Sequence, residues 1–150
     1  MLNFLKNNGG DMLIDVIVSI GIIVLLSTIS IPFLKKYQPN LKLNGVAREL
    51  TTDLRYAQQL TVAEQKIHQV VFNINDNQYQ ILKIDTATTT IKIVTLDSEI
   101  NIKEIIGLTD NKVIFNYYGG VVYSGQIILS NINNLTATIN VKPSGYIQLE

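Results

Sequence analysis

The run Met12–Leu34, MLIDVIVSIGIIVLLSTISIPFL, constrains this chain more than any other feature. Its twenty-three residues would form roughly 34 Å of helix, enough to cross a hydrocarbon core of about 30 Å. Asp15 is the single ionisable residue within it, and Ser19, Ser27, Thr28 and Ser30 can return their hydroxyls to the helix backbone. A cleaved secretory signal would need a shorter apolar core and a small-residue cleavage site after it. The run ends instead in Ile31-Pro32-Phe33-Leu34-Lys35-Lys36. Charge leaves its orientation undecided, with Lys6 and the α-amine on one side and Lys35 and Lys36 on the other.

Composition closes off several classes of function. The chain has no cysteine, which excludes disulfide frameworks, thiolate catalysis and cysteine-based metal sites. Any Ser-His triad or His-rich metal site would rest on one histidine, His68. Twelve basic residues balance twelve acidic ones, so there is no electrostatic footprint for nucleic acid. Charged residues are 16% of the chain, against about 25% in ordinary globular domains, and mean hydropathy is +0.23. No catalytic residue, cofactor site or metal site emerges from this inventory.

Two features separate the apolar run from an ordinary anchor. The segment Lys6-Asn7-Asn8-Gly9-Gly10 is hydrophilic and ends in glycines, leaving the backbone open enough for a protease to bind it extended. Asp15 lies inside the span, where a charge at the bilayer centre costs about 2.5–3.5 kcal/mol and less near the interface. It either stays wet among headgroups or finds a positive partner in another subunit.

Gly10-Asp11-Met12-Leu13-Ile14-Asp15 resembles the type IV prepilin signature, a glycine before a short hydrophobic stretch with an acid at its fifth position. Counted from Asp11, Asp15 is that fifth residue, and Pro32 is the twenty-second, where this family commonly carries proline. The resemblance implies that prepilin peptidase removes Met1–Gly10 and that Asp11 becomes a methylated N-terminus. It also implies that the apolar helices of many pilin or pseudopilin subunits pack into a filament core, with Asp15 neutralising a neighbour's N-terminal amine. An aspartate stands where glutamate is usual, so its carboxylate reaches one methylene less far. Asp11 stands where Phe or Met is more usual.

Beyond the span, Leu43, Val46, Ala47, Leu50, Leu54, Ala57, Leu60 and Thr61 recur at three- and four-residue steps, predicting an amphipathic helix to Ile67. Arg48, Glu49, Asp53, Arg55, Gln58 and Gln59 fall on the opposite, solvated face, where Glu49 and Asp53 could pair with the arginines. Pro32 and Pro39 would kink or interrupt the rod. An unbroken helix from Asp11 to Ile67 would span roughly 85 Å, too long for so small a domain to bury. Its first half needs lipid or other subunits. Val46–Gln58, VARELTTDLRYAQ, is similar to the helix of the GspH/FimT group of minor pilins and pseudopilins, whose pattern runs aREL..dLRyAr. Gln58 replaces the final basic residue.

From His68 the period becomes two. Short strands are expected around residues 70–74, 79–84, 89–94, 100–105, 113–117, 126–130, 136–141 and 146–149. Asn-, Asp- and Gly-rich turns separate them. The predicted fold is α+β and pilin-like: a leader over 1–10, a transmembrane or filament-core helix over 11–34, an amphipathic helix over 35–67, and a small antiparallel β head over 68–150. Candidate chemistry in the head is thin. His68 reads as a surface or capping residue, Asn73–Asn77 as an Asx turn rather than a calcium loop, and Asp97, Glu99 and Glu104 as solvated charge. Tyr117, Tyr118 and Tyr123 read as a contact patch or as half-exposed sheet aromatics.

The expected function is a non-enzymatic structural subunit of a type IV pilus or type II secretion pseudopilus. It would be held in the inner membrane with a periplasmic head before assembly. Its expected partners are other pilin or pseudopilin subunits, prepilin peptidase, the inner-membrane assembly platform and the lipid bilayer. The alternative is a FimT-like DNA-uptake pilin. Phosphate binding would need clustered cations, and Lys83, Lys92, Lys103, Lys112 and Lys142 are scattered along the sequence.

Overall fold

Leu43, Ala47, Leu50, Leu54, Ala57 and Thr61, the stripe at helical spacing, are all buried in the computed structural model. The structure describes residues 9–150, with side chains from Met12 onward apart from Lys36. The chain divides into two units, the first ending at Gln38 and the second running from Pro39 to Glu150. One helix, α1, spans Gly9–Glu64. Pro32 and Pro39 lie inside it; each withholds a backbone donor, yet the helix continues past both.

The helix stops at Glu64, three residues before the expected Ile67. Gln65 takes a left-handed conformation with φ of 53°, and its side-chain amide donates to the Val62 carbonyl at 2.8 Å. A left-handed residue just past the last turn is a common helix stop, usually a glycine. Ile67 thereby opens the first strand.

Eight strands follow: β1 Ile67–Asn73, β2 Gln78–Ile84, β3 Thr88–Thr95, β4 Ile100–Ile106, β5 Lys112–Ile114, β6 Gly125–Asn131, β7 Thr136–Val141 and β8 Ile147–Leu149. They form two four-stranded antiparallel sheets, ordered β3-β2-β1-β5 and β4-β6-β7-β8. Alternation places Val70, Ile81 and Val113 side by side in the first sheet, and Ile127 opposite Ile139 in the second. These residues join the buried stripe of α1 in one hydrophobic core.

Asparagines tie the layers together. In the β1–β2 turn Asn73 Oδ1 accepts from the backbone N–H groups of Asn75 and Asp76, the expected Asx turn. Asn77 then reaches into the second sheet, donating to the Ile100 carbonyl at 2.6 Å and accepting from the Ile102 N–H at 3.1 Å. Buried Asn131 accepts from two backbone amides of its own turn and donates to Asn40 on the helix at 2.8 Å. Asn77 and Asn131 thereby satisfy polar groups between the layers that an apolar side chain could not.

Two sheet edges are bulged and a third is covered. β3 bulges at Ile91, since Ile81 faces Lys92 while Leu82 faces Thr90, and β4 bulges at Lys103 by the same shift. β5 is covered by the returning chain: Phe115 bridges to Val121, and Val122 N–H bonds the Ile114 carbonyl.

Candidate functional site

The first unit is built from α1 as far as Gln38. Its apolar side chains from Met12 to Leu34 are exposed, Met12 at 71% and Phe33 at 79%. The most apolar eighteen-residue window has a mean hydropathy of 2.6, and none of it is buried. This stretch of α1 is long and apolar enough to cross a membrane, and it is not part of the buried core. Its hydroxyls turn inward on the backbone. Ser19 donates to the Asp15 carbonyl at 2.7 Å, Ser27 to Ile23 at 2.7 Å, Thr28 to Val24 at 2.8 Å and Ser30 to Leu26 at 2.9 Å. The Asp15 carboxylate is exposed and has no partner among the described residues.

Gly10 and Asp11 fall in the first turn of α1, so the peptide bond between them is helical. Residues 1–8 of the expected leader and the side chain of Asp11 lie outside the described residues. Pro32 sits on the exposed stretch of the helix.

In the second unit, two residues read as solvent-facing prove to be interior. Asp53, expected to pair with an arginine on the outer face, is buried. It accepts the Tyr79 hydroxyl at 2.6 Å, and Lys92 grips both its oxygens at 2.9 and 2.7 Å, with Glu49 3.6 Å from the same ammonium. Burial first, then the bond to Asp53, drives the Tyr79 phenol well above its ordinary range; the Asp53 bond raises Lys92. The pairing runs from helix to sheet rather than along the helix.

His68 is the second correction. It is fully buried as the first inward side chain of β1. Its backbone N–H donates to Thr61 Oγ1 at 3.2 Å, Nδ1 lies 3.0 Å from the Lys66 carbonyl, and Nε2 is 3.7 Å from Glu64. The backbone bond to Thr61 fastens the start of β1 to the end of α1, while Nε2 is buried without a hydrogen-bond partner among the described residues. Glu64 also binds Lys83 at 2.6 Å, a bond that lowers the carboxyl and raises the amine.

Gln58 replaces a charge with a clamp. Its Nε2 donates to the Gly119 carbonyl at 2.5 Å and to the Gly145 carbonyl at 3.1 Å, holding two loops against the helix. One turn earlier, Arg55 donates to the Ile147 carbonyl at 3.0 Å. Asp97 and Glu99 are not idle surface charge, because both hold Lys42 of α1. Tyr118 stands almost wholly in solvent, while Tyr117 and Tyr123 are half-exposed. Among the described residues, no group of three or more acidic, histidine or cysteine side chains could hold a metal ion.

No family model and no curated protein matches this chain. Solved structures do. The minor pseudopilin EpsH from the type 2 secretion system of Vibrio cholerae aligns with a TM-score of 0.64 at 9% identity, covering 73% of this chain and 96% of that one. The type IV minor pilin FimU of Pseudomonas aeruginosa aligns with a TM-score of 0.58 at 15% identity, covering 79% and 92%. At such identities the likeness is one of fold: a long N-terminal helix packed on antiparallel sheets, as in pilins and pseudopilins.

Proposed function

We propose that this chain is a non-catalytic assembly subunit, a minor pilin or pseudopilin of a type IV pilus or type II secretion pseudopilus. The observation that carries the reading is an unburied apolar helix with a lone carboxylate, Asp15, attached to a pilin fold. Such a helix needs a solvent other than water, and two are available in sequence: lipid before assembly and neighbouring helices after it. Asp15 then takes a neighbour's N-terminal amine as its partner, which removes the cost of a lone charge among apolar side chains. Gly10 is the cleavage-site residue and Asp11 the methylated terminus. The helical Gly10–Asp11 bond must open into an extended form to enter a peptidase. Before assembly the chain is held by its helix in the inner membrane with the β head in the periplasm, and the assembly platform draws it out.

A DNA-binding head has less support. Lys83, Lys92 and Lys112 are each paired with a carboxylate of the same unit, which a phosphate would have to displace.

The test is the intact mass and N-terminal sequence of the membrane-extracted protein from its own host. A chain beginning at Asp11 and carrying one added methyl group is the expected result. A chain still beginning at Met1, in cells whose prepilin peptidase processes other substrates, would overturn the processing and the filament role that depends on it.

A further inference from the structure

One surface of the second unit leaves its polar groups unanswered. The chain has two arginines, Arg48 and Arg55, and both stand on the side of α1 that borders β8. Neither meets a carboxylate among the described residues. Arg48 makes no side-chain hydrogen bond there, and Arg55 gives its one bond to the Ile147 carbonyl. Five acids of the unit, Asp53, Glu64, Asp85, Asp97 and Asp110, each hold a lysine instead. Two cations on one face, neither within ion-pair distance of a carboxylate among the described residues, suit a partner that brings one.

The surface is a trough. Three open cavities of about 340, 390 and 360 Å³ follow one another along the helix, the first two sharing Arg55 and the last two sharing Gln59. From Arg48 to Ala63 the helix rises roughly 22 Å, the length of about six or seven residues of extended chain. Tyr118, 97% exposed, stands at the far end as an aromatic with nothing to cover it.

One wall of the trough is a strand edge. Thr138 and Glu150 exchange both backbone hydrogen bonds, and the Lys142 N–H bonds the Tyr146 carbonyl. Gln148 therefore pairs with Asn140 in the same way, and the backbone groups of Ile147 and Leu149 point away from β7. Among the described residues the Ile147 carbonyl is engaged by Arg55, while the other outward groups of these two residues have no partner. β8 is thus a sheet edge whose outward backbone groups lie beside the two arginines.

We propose that this trough receives an extended acidic segment of a neighbouring filament subunit, which adds as a strand along β8 and sets its carboxylates on Arg48 and Arg55. The proposal rests on the filament reading above. Backbone hydrogen bonds supply the attraction, and the two charge pairs fix which segment enters and in what register. Arg55 exchanges its bond to the Ile147 carbonyl for a carboxylate, and that carbonyl becomes an acceptor for the incoming strand.

The test is photocrosslinking of the full-length protein in its own host, with p-benzoylphenylalanine replacing Gln59 in the trough or Ile22 in the apolar helix. The expected Gln59 adduct joins an acidic segment of a second assembly subunit, identified by mass spectrometry of the linked peptide. Arg48→Glu and Arg55→Glu are each expected to lower its yield by about tenfold while leaving the Ile22 adduct unchanged. Arg48→Glu guards against misfolding, because that side chain holds nothing in its own subunit. Subunit adducts at Ile22 with none at Gln59 would overturn the trough and leave the filament reading standing. A Gln59 adduct undiminished in both arginine variants, or formed with a basic segment, nucleic acid or lipid, would overturn the acidic strand. Absence of adducts at both positions would overturn the filament reading and this proposal with it.

Discussion

Tyr79 donates its hydroxyl to Asp53 Oδ2 at 2.6 Å, and so fastens β2 to the helix through a buried carboxylate. Removing that acceptor strands a buried phenol and leaves Lys92 without its main partner. Asp53→Ala is expected to cost about 2–3 kcal/mol, discounted from a fully buried pair because Lys92 is partly in water. Asp53→Asn keeps an acceptor for Tyr79 and is expected to cost about 1 kcal/mol. Denaturant titration of the detergent-solubilised protein measures both, and equal losses would mean that charge rather than hydrogen bonding governs the site.

The same cluster predicts how stability responds to alkali. Tyr79 and Lys92 both hold their protons more tightly in the folded chain than in the unfolded one. Their contribution is complete below about pH 10 and is lost as pH rises beyond it, because the unfolded chain then releases protons that the fold retains. Thermal melts above that pH should fall steeply in the parent and less steeply in Tyr79→Phe. Near-ultraviolet absorbance should show one of the seven tyrosines ionising only as the head unfolds.

Two glycines in the second unit should respond to alanine with opposite signs. Gly145 has φ of 81°, and a Cβ there would collide with the Gly119 carbonyl at the point where Gln58 clamps both loops. Gly145→Ala is expected to destabilise by about 2–4 kcal/mol. Gly45 lies inside α1 with open space around it, so Gly45→Ala should stabilise by about 0.5–1 kcal/mol by restricting the unfolded chain. Melting temperatures of the two variants decide the matter directly.

Asp15→Ala should leave the precursor inserted in the membrane and remove it from filaments, because lipid tolerates the change and assembly loses its charge partner. Asp15→Glu should assemble, since it keeps the carboxylate. Fractionation of sheared filaments and membranes reads both variants. Assembly of Asp15→Ala at the parental level would end the charge-pair assignment.

The regular elements were readable because each is specified by a local period. The stripe from Leu43 to Thr61 and the alternation in each β segment depend on neighbours a few residues apart, and every predicted strand is present within a few residues of its expected bounds. Burial of Asp53 was not readable from the helix, because its partners Tyr79 and Lys92 lie 26 and 39 residues away on strands. His68 did carry a signal. It stands two residues before Val70 and four before Phe72, on the inward face of β1, and only its polarity suggested the surface. The sorting of eight strands into two sheets, with β5 joining β1 and β4 joining β6, arises from long-range packing and leaves no mark on any single segment. The arginine trough was hidden for the same reason, since Arg48 and Arg55 look like ordinary outer-face residues until β8 is laid beside them.

The four hydroxyls of the apolar helix, each bonded to the carbonyl one turn back, have a thermodynamic corollary. A segment that has already satisfied its own polar groups exchanges one apolar medium for another without breaking a hydrogen bond. On the proposed role of Met12–Leu34, extraction from lipid and return to it would then be nearly balanced steps. On the proposed assembly role, Asp15, the one side-chain charge on the run, would tip that balance, so a single carboxylate would give the traffic its direction.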